Sequence, residues 1–166
     1  MNLKSLIRDV PDFPRQGVLF RDISPLLKNA EALDFVSHHL VQGVDLAKID
    51  YFAGIESRGF ILAAHLAATH KKGFLPIRKA GKLPPPTEKL RYALEYGAAE
   101  IELAAGHGRI MIVDDVLATG GTLQAALELG ARAGYVIAAV AVLIDLKSLN
   151  TMTFNGKEVF SLVQYE

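Results

Sequence analysis

The apolar positions of this 166-residue chain change period several times, and each change predicts an element. Leu3 to Val10 is expected to be a short helix, closed by Pro11 and Pro14, which cannot continue one. "GVLFRDISPLL" follows as a loop leading into "NAEALDFVSHHLVQG", where Leu33, Phe35, Val36, Leu40 and Val41 form a helical apolar stripe ended by Gly43. "YFAGI" is a short buried strand, "RGFILAAHLAATH" a helix rich in small residues, and "GFLPIR" the next strand. Three consecutive prolines and several lysines make "KAGKLPPPTEKL" an exposed loop. "RYALEYG" and "AEIELAA" alternate apolar and polar residues, which predicts two antiparallel strands. "RIMIVDD" is a buried strand, "GTLQAALELGARAG" a helix ended by Gly134, "YVIAAVAVLID" another buried strand and "EVFSLVQ" the last.

Strands alternating with helices predict an α/β fold: a mostly parallel twisted sheet flanked by helices, with the antiparallel pair as a small flap or hood near its edge. With 51% hydrophobic residues and neither repeats nor low-complexity linkers, residues 1–166 are expected to form one domain around one core. Eighteen basic residues balance eighteen acidic ones, so no global field recruits nucleic acid or an anionic membrane. The absence of cysteine excludes disulfides and thiolate metal sites. "MNLKSLIRDVPDF" lacks the apolar centre of a signal peptide, and no stretch reaches the roughly 20 apolar residues that span a bilayer. A cytoplasmic protein is the expectation. The histidines (His38, His39, His65, His70, His107) show no metal-ligand spacing and receive no chemistry.

Chemistry concentrates in "RIMIVDDVLATGGT". In such sheets ligands sit beyond the carboxyl ends of strands, where this one delivers Asp114 and Asp115. The loop Ala118-Thr119-Gly120-Gly121-Thr122 then supplies permissive backbone, two hydroxyls and a helix N-terminus, a setting that favours phosphate. It is neither a Walker A loop nor a dinucleotide fingerprint, because the Lys-Ser/Thr and the G-x-G-x-x-G are missing. A ribose 5-phosphate fits, its 2′ and 3′ hydroxyls donating to the carboxylates. On spacing alone, Asp115 as a helix cap and Asp114 as a solvated strand end account for the pattern equally well.

"IVDDVLATGGT" resembles the hallmark V-V-D-D-x-x-A-T-G-G-T of the type I phosphoribosyltransferases. "DFPRQGVLFRDISPLL", "GIESRGFILAAHLA", "PIRKAGKLPPPT", "YALEYG" and "FSLVQYE" resemble, in order, segments of that family's adenine-using branch, so the likeness covers nearly the whole chain. It implies a purine-salvage enzyme that makes AMP and pyrophosphate from adenine and phosphoribosyl pyrophosphate, through an oxocarbenium-like transition state. It also implies a homodimer, and magnesium carried by the substrate phosphates with no direct protein ligand.

The same resemblance assigns roles. Asp114, Asp115 and the loop Ala118, Thr119, Gly120, Gly121 and Thr122 would hold the ribose and its 5′-phosphate. Glu56, Ser57 and Arg58 would form the pyrophosphate loop, with a cis Glu56–Ser57 peptide and Arg58 close to the chemistry. Arg78, Lys79 and Lys82 flank the Pro-rich loop, where they serve either pyrophosphate or a solvated face. Glu95 is the candidate acid/base or relay group for the purine N9 proton. Phe20 would stack on adenine, the main chain of Leu19 and Arg21 would read N6 and N1, and Leu146 would cover the opposite face. A transferase for another base, such as xanthine, is opposed by "GVLFRD" and "YALEYG". A nucleic-acid-binding sensor that kept the fold is opposed by the neutral charge balance and the lack of spare length.

Overall fold

The computed structural model describes residues 1–94 and 97–166. The chain starts with a 3-10 turn (Leu3–Leu6), strands β1 (Arg8–Pro11) and β2 (Leu19–Asp22), and helices α1 (Ser24–Leu27) and α2 (Ala30–His39). Next come β3 (Tyr51–Ile55), α3 (Arg58–His70) and β4 (Gly73–Lys79), then the pair β5 (Thr87–Ala93) and β6 (Ala98–Ala104). β7 (Gly108–Leu117), α4 (Gly121–Arg132) and β8 (Tyr135–Leu146) lead to the two-residue strands β9 (Thr153–Phe154) and β10 (Lys157–Glu158), and to β11 (Phe160–Tyr165).

Seven of these strands form one sheet in the order β11-β8-β7-β3-β4-β6-β5. It is parallel from β11 to β4 and antiparallel through β6 and β5, so the expected mostly parallel sheet with an antiparallel hood at its edge is what the chain builds. The pleat divides the core into two layers. Along β7, Met111 and Val113 face α2 and α3, while Ile110 and Ile112 face α4, as a period of two requires. Leu26, Leu40, Phe52, Leu62 and Leu66 fill the first layer; Ile77, Leu103, Leu123 and Leu129 fill the second.

Two local expectations are corrected. Leu3–Val10 is not a helix: a 3-10 turn ends at Leu6, and Arg8–Pro11 pairs with Leu19–Asp22 as an antiparallel ribbon. "GVLFRDISPLL" is accordingly not a loop, since it contains β2 and the short α1. Pairing between segments distant in sequence outweighs local helical spacing here. The third difference lies at the acidic pair. β7 does not stop at Asp115 but runs to Leu117, because Val116 and Leu117 stay in register with Ile144 and Asp145 of β8.

Candidate active site

Two helices begin at the same place. α3 starts after Ser57 and α4 after Gly120, and neither residue makes a side-chain capping bond. The first N–H groups of each helix, with the positive ends of both dipoles, are therefore left for an anion. Gly120 sits at φ 89°, a left-handed conformation that a residue with a Cβ adopts at a cost. Both helix starts line one cavity of about 430 Å³, enclosed by 55–58 on one side and 114–123 on the other.

Close packing brings them together. A Cβ on Gly54 would lie 2.6 Å from the Gly59 carbonyl oxygen, and one on Gly59 would lie 2.8 Å from Asp114 Oδ1. Glycine at both positions lets α3 press against β3 and β7 and set its first turn beside the carboxylates. β3 pairs with β7 only as far as Gly54 opposite Val113, so among the described residues this edge of β7 has no strand partner from Asp114 onward.

The acidic pair is crowded. The Asp115 N–H donates to Asp114 Oδ1 at 2.9 Å, and Arg58 Nε stands 2.7 Å from Asp115 Oδ2. That last contact is an ion pair without hydrogen-bond alignment, which leaves buried Oδ2 without a hydrogen-bond partner among the described residues. Burial, followed by the neighbouring Asp115 charge, pushes the Asp114 carboxyl well above its usual range. Burial also raises Asp115, against the pull of Arg58. Two crowded acceptors of this kind are suited to a diol, whose hydroxyl protons satisfy them without adding charge.

Beyond the α3 end lies a cationic cluster around Glu56. Its Oε2 accepts from the Lys79 N–H at 2.9 Å and faces Arg78 Nε at 3.4 Å, while Oε1 meets Lys82 Nζ at 2.5 Å. Lys82, opposed by burial and helped by the Lys79 N–H and Arg78, brings the Glu56 carboxyl down to about 2. Lys79 contributes its main chain here, and its side chain is exposed. The Glu56–Ser57 peptide is cis, as expected.

On the other side of Arg58 opens a second cavity, about 770 Å³, lined by 15–21 and by Val116, Ala118, Thr119, Leu146, Leu149 and Tyr165. Arg58 lines both cavities and joins them. Its Nη1 donates to the Arg21 carbonyl at 3.1 Å, and its guanidinium lies 4.6 Å from the centre of the Phe20 ring. In a strand the N–H and C=O of a residue face the same way, as do those two residues along. The Arg21 carbonyl therefore shows which edge of β2 faces the site, and the polar main-chain groups of Leu19 face it too. The Arg21 side chain turns elsewhere, pairing with Asp9 and stacking on Tyr165 at 3.7 Å.

The expected ribose-phosphate residues (Asp114, Asp115, Ala118 to Thr122) and pyrophosphate-loop residues (Glu56, Ser57, Arg58) thus share one cavity, with Arg78, Lys79 and Lys82 gathered behind Glu56. Leu19, Phe20, Arg21 and Leu146 line the adjoining one. Glu95 lies outside the described residues. Sequence reasoning missed Val116, Leu149 and Tyr165. The signal for Tyr165 was its place at the carboxyl end of a parallel strand, in register with Leu146.

The Phosphoribosyl transferase domain family matches residues 24–162. An adenine phosphoribosyltransferase of Bdellovibrio bacteriovorus is 73% identical over 165 residues, 99% of this chain and 100% of the relative. The crystal structure of adenine phosphoribosyltransferase from Thermoanaerobacter pseudethanolicus superposes with a TM-score of 0.90 at 38% identity, covering 98% of each chain. The enzyme from Saccharomyces cerevisiae, complexed with D-2,5-dideoxy-2,5-imino-altritol 1,6-bisphosphate and adenine, superposes at 0.84 with 32% identity, covering 97% of this chain and 95% of its own. With one family spanning most of its length and a relative this similar end to end, the chain belongs to the phosphoribosyl transferase family, in its adenine phosphoribosyltransferase branch.

Proposed function

We infer that the chain makes AMP and pyrophosphate from adenine and the magnesium complex of phosphoribosyl pyrophosphate. The observation that carries this is the pair of joined cavities: one where two helix starts meet the carboxylates Asp114 and Asp115, the other with Phe20, Val116 and Leu146 among its lining and edged by a strand, with Arg58 at the junction. A crystal of the yeast relative holds a bisphosphate together with adenine.

In this reading Asp114 and Asp115 accept from the 2′ and 3′ hydroxyls, and the first turn of α4 receives the 5′-phosphate. The bond from C1 to pyrophosphate breaks, its electron pair leaving with the pyrophosphate oxygen, as adenine N9 bonds to C1. Positive charge develops on the ribose during this exchange, and the nearby carboxylates favour it. Arg58, Arg78, Lys79 and Lys82 neutralise the departing pyrophosphate. Glu95 takes or relays the N9 proton, a role that rests on the "YALEYG" resemblance. Magnesium, if it comes bound to the substrate phosphates, would offset their charge there without a ligand from the chain. The donors fit that arrangement, since Glu56 is engaged by Arg78, Lys79 and Lys82, which leaves Asp114 and Asp115 to the sugar.

Residues 1–166 would act as one phosphoribosyltransferase domain, and the family resemblance supports a cytoplasmic homodimer. Among the described residues no helix is long and apolar enough to cross a membrane. The test is incubation with magnesium, phosphoribosyl pyrophosphate and each purine base in turn, with the products identified. AMP from adenine is expected; product from hypoxanthine or xanthine alone would contradict the reading.

A further inference from the structure

The connection from β4 to β5 has to pass over β6, because β6 lies between them in the sheet. Glu102 of β6 stands at this crossing, in register with Arg78 of β4 on one side and Lys89 of β5 on the other. Its side chain is completely buried, a costly place for a charge unless something engages it. Oε1 accepts from the main-chain N–H groups of Lys82 and Leu83, both at 2.6 Å. Oε2 has Lys89 Nζ 4.0 Å away and no hydrogen bond among the described residues. Burial pushes this carboxyl up, yet the N–H groups of Gly81, Leu83 and Lys82 outweigh it and hold the group below its ordinary range.

An apolar residue at 102 would fill this part of the core without the desolvation penalty. A carboxylate there secures a stretch of the exposed loop whose side chain reaches the site. That side chain is Lys82, whose ammonium meets Glu56 in the cation cluster.

We infer that Glu102 is a positioning residue for phosphoribosyl transfer, clamping the main chain at Lys82 and Leu83 so that the Lys82 ammonium stands over the pyrophosphate end of the site. The inference rests on the function read above.

The test compares Glu102→Gln, which keeps the volume and one acceptor but loses the charge, with Glu102→Ala, which loses the clamp. The KM for phosphoribosyl pyrophosphate is expected to rise about tenfold in Glu102→Ala and less in Glu102→Gln, while the KM for adenine moves less than about threefold. Lys82→Ala should give a similar rise, and adding Glu102→Ala to it should cost little more, because both act through one ammonium. Trypsin cleavage between Lys82 and Leu83 gives a separate readout should Glu102→Ala fail to fold. Glu102→Gln should be cut faster at an unchanged melting temperature. Equal rises in both KM values, additive losses in the double variant, or a folded Glu102→Gln with wild-type cleavage and kinetics would overturn the inference. An inactive wild type would instead overturn the function reading, and this inference with it.

Discussion

Arg58 and Asp115 face each other at 2.7 Å, and the same guanidinium donates to the Arg21 carbonyl at 3.1 Å. One side chain thus links the acceptors expected to hold the ribose to the strand expected to read the base. Its removal should be felt by both substrates. Arg58→Ala should cost tenfold or more in kcat/KM for each, the scale of a lost charge-assisted hydrogen bond, roughly 1.5–3 kcal/mol. It also removes the cation that opposes burial at Asp115, so the carboxyl should rise further and the acid limb of the rate profile should move to higher pH. Rate measured against pH for both proteins checks this; an unmoved acid limb would count against the pairing.

Asp114 should trade stability for function. Burial and the adjacent Asp115 raise its carboxyl in the folded protein above the unfolded value. A raised carboxyl stabilises the fold below its unfolded pKa, and that stability is lost as pH rises through the folded one. Asp114→Asn removes the penalty, so near neutral pH its Tm should exceed that of the wild type, by roughly 2–4 °C per kcal/mol relieved. The gap should close as pH falls and the wild-type carboxyl takes up its proton. The same variant should use phosphoribosyl pyrophosphate at least about tenfold less well. Calorimetry across pH, paired with kinetics, measures both halves; a destabilised variant at neutral pH would refute the stability half.

The 5′-phosphate should lie at the uncapped start of α4. A crystal with AMP is expected to show its phosphate between Ala118 and Thr122, taking main-chain N–H bonds and the hydroxyls of Thr119 and Thr122. In the free protein the Thr122 hydroxyl lies 3.2 Å from the Tyr92 hydroxyl, so this partnership should change on binding. Phosphate found beside Arg78 and Lys79 with the α4 start empty would mean that the two phosphate sites are exchanged.

The central α/β elements were legible because each is locally self-consistent. "YFAGI" and "RGFILAAHLAATH" fold as read, residue for residue, since a short apolar run and a small-residue helix need no distant partner to be recognised. β1 and β2 were illegible because neither Arg8–Pro11 nor Leu19–Asp22 alternates cleanly; each is a strand only through the other. The extent of β7 was hidden for the same reason, since β8 carries it past the carboxylates. At the site, motif residues were found because charge and glycine stand out in a sequence. Val116 and Tyr165 were missed because an apolar spacer and a terminal tyrosine read as core until the sheet places them at its carboxyl edge. Glu102 looked like one more polar residue of an alternating strand; only burial reveals it.

Glu95 is expected to matter to the chemical step more than to binding. Glu95→Gln keeps the shape and removes the proton acceptor, so the single-turnover rate constant should fall on the order of 10²–10⁴-fold, with adenine affinity little changed. An unchanged rate constant would remove the acid/base role.

Base choice should be made by main-chain groups of β2. In the proposed reading the Leu19 carbonyl would accept from the adenine amino group and the Arg21 N–H would donate to N1; hypoxanthine, with O6 and a protonated N1, would mismatch both. The Arg21 side chain is engaged with Asp9 and Tyr165, so Arg21→Ala should lower activity without relaxing the preference. Phe20→Ala should weaken all bases together, by the roughly 1–3 kcal/mol typical of stacking on an aromatic.

The most direct measurement is a competition between adenine and hypoxanthine for limiting phosphoribosyl pyrophosphate, with the nucleotides formed by wild type and Arg21→Ala identified. AMP should form almost exclusively in both, with discrimination of roughly 10⁴-fold, the scale at which a site built for hydrogen bonds rejects a mismatched partner. Comparable IMP from the wild type, or loss of discrimination on removing only the Arg21 side chain, would contradict the account.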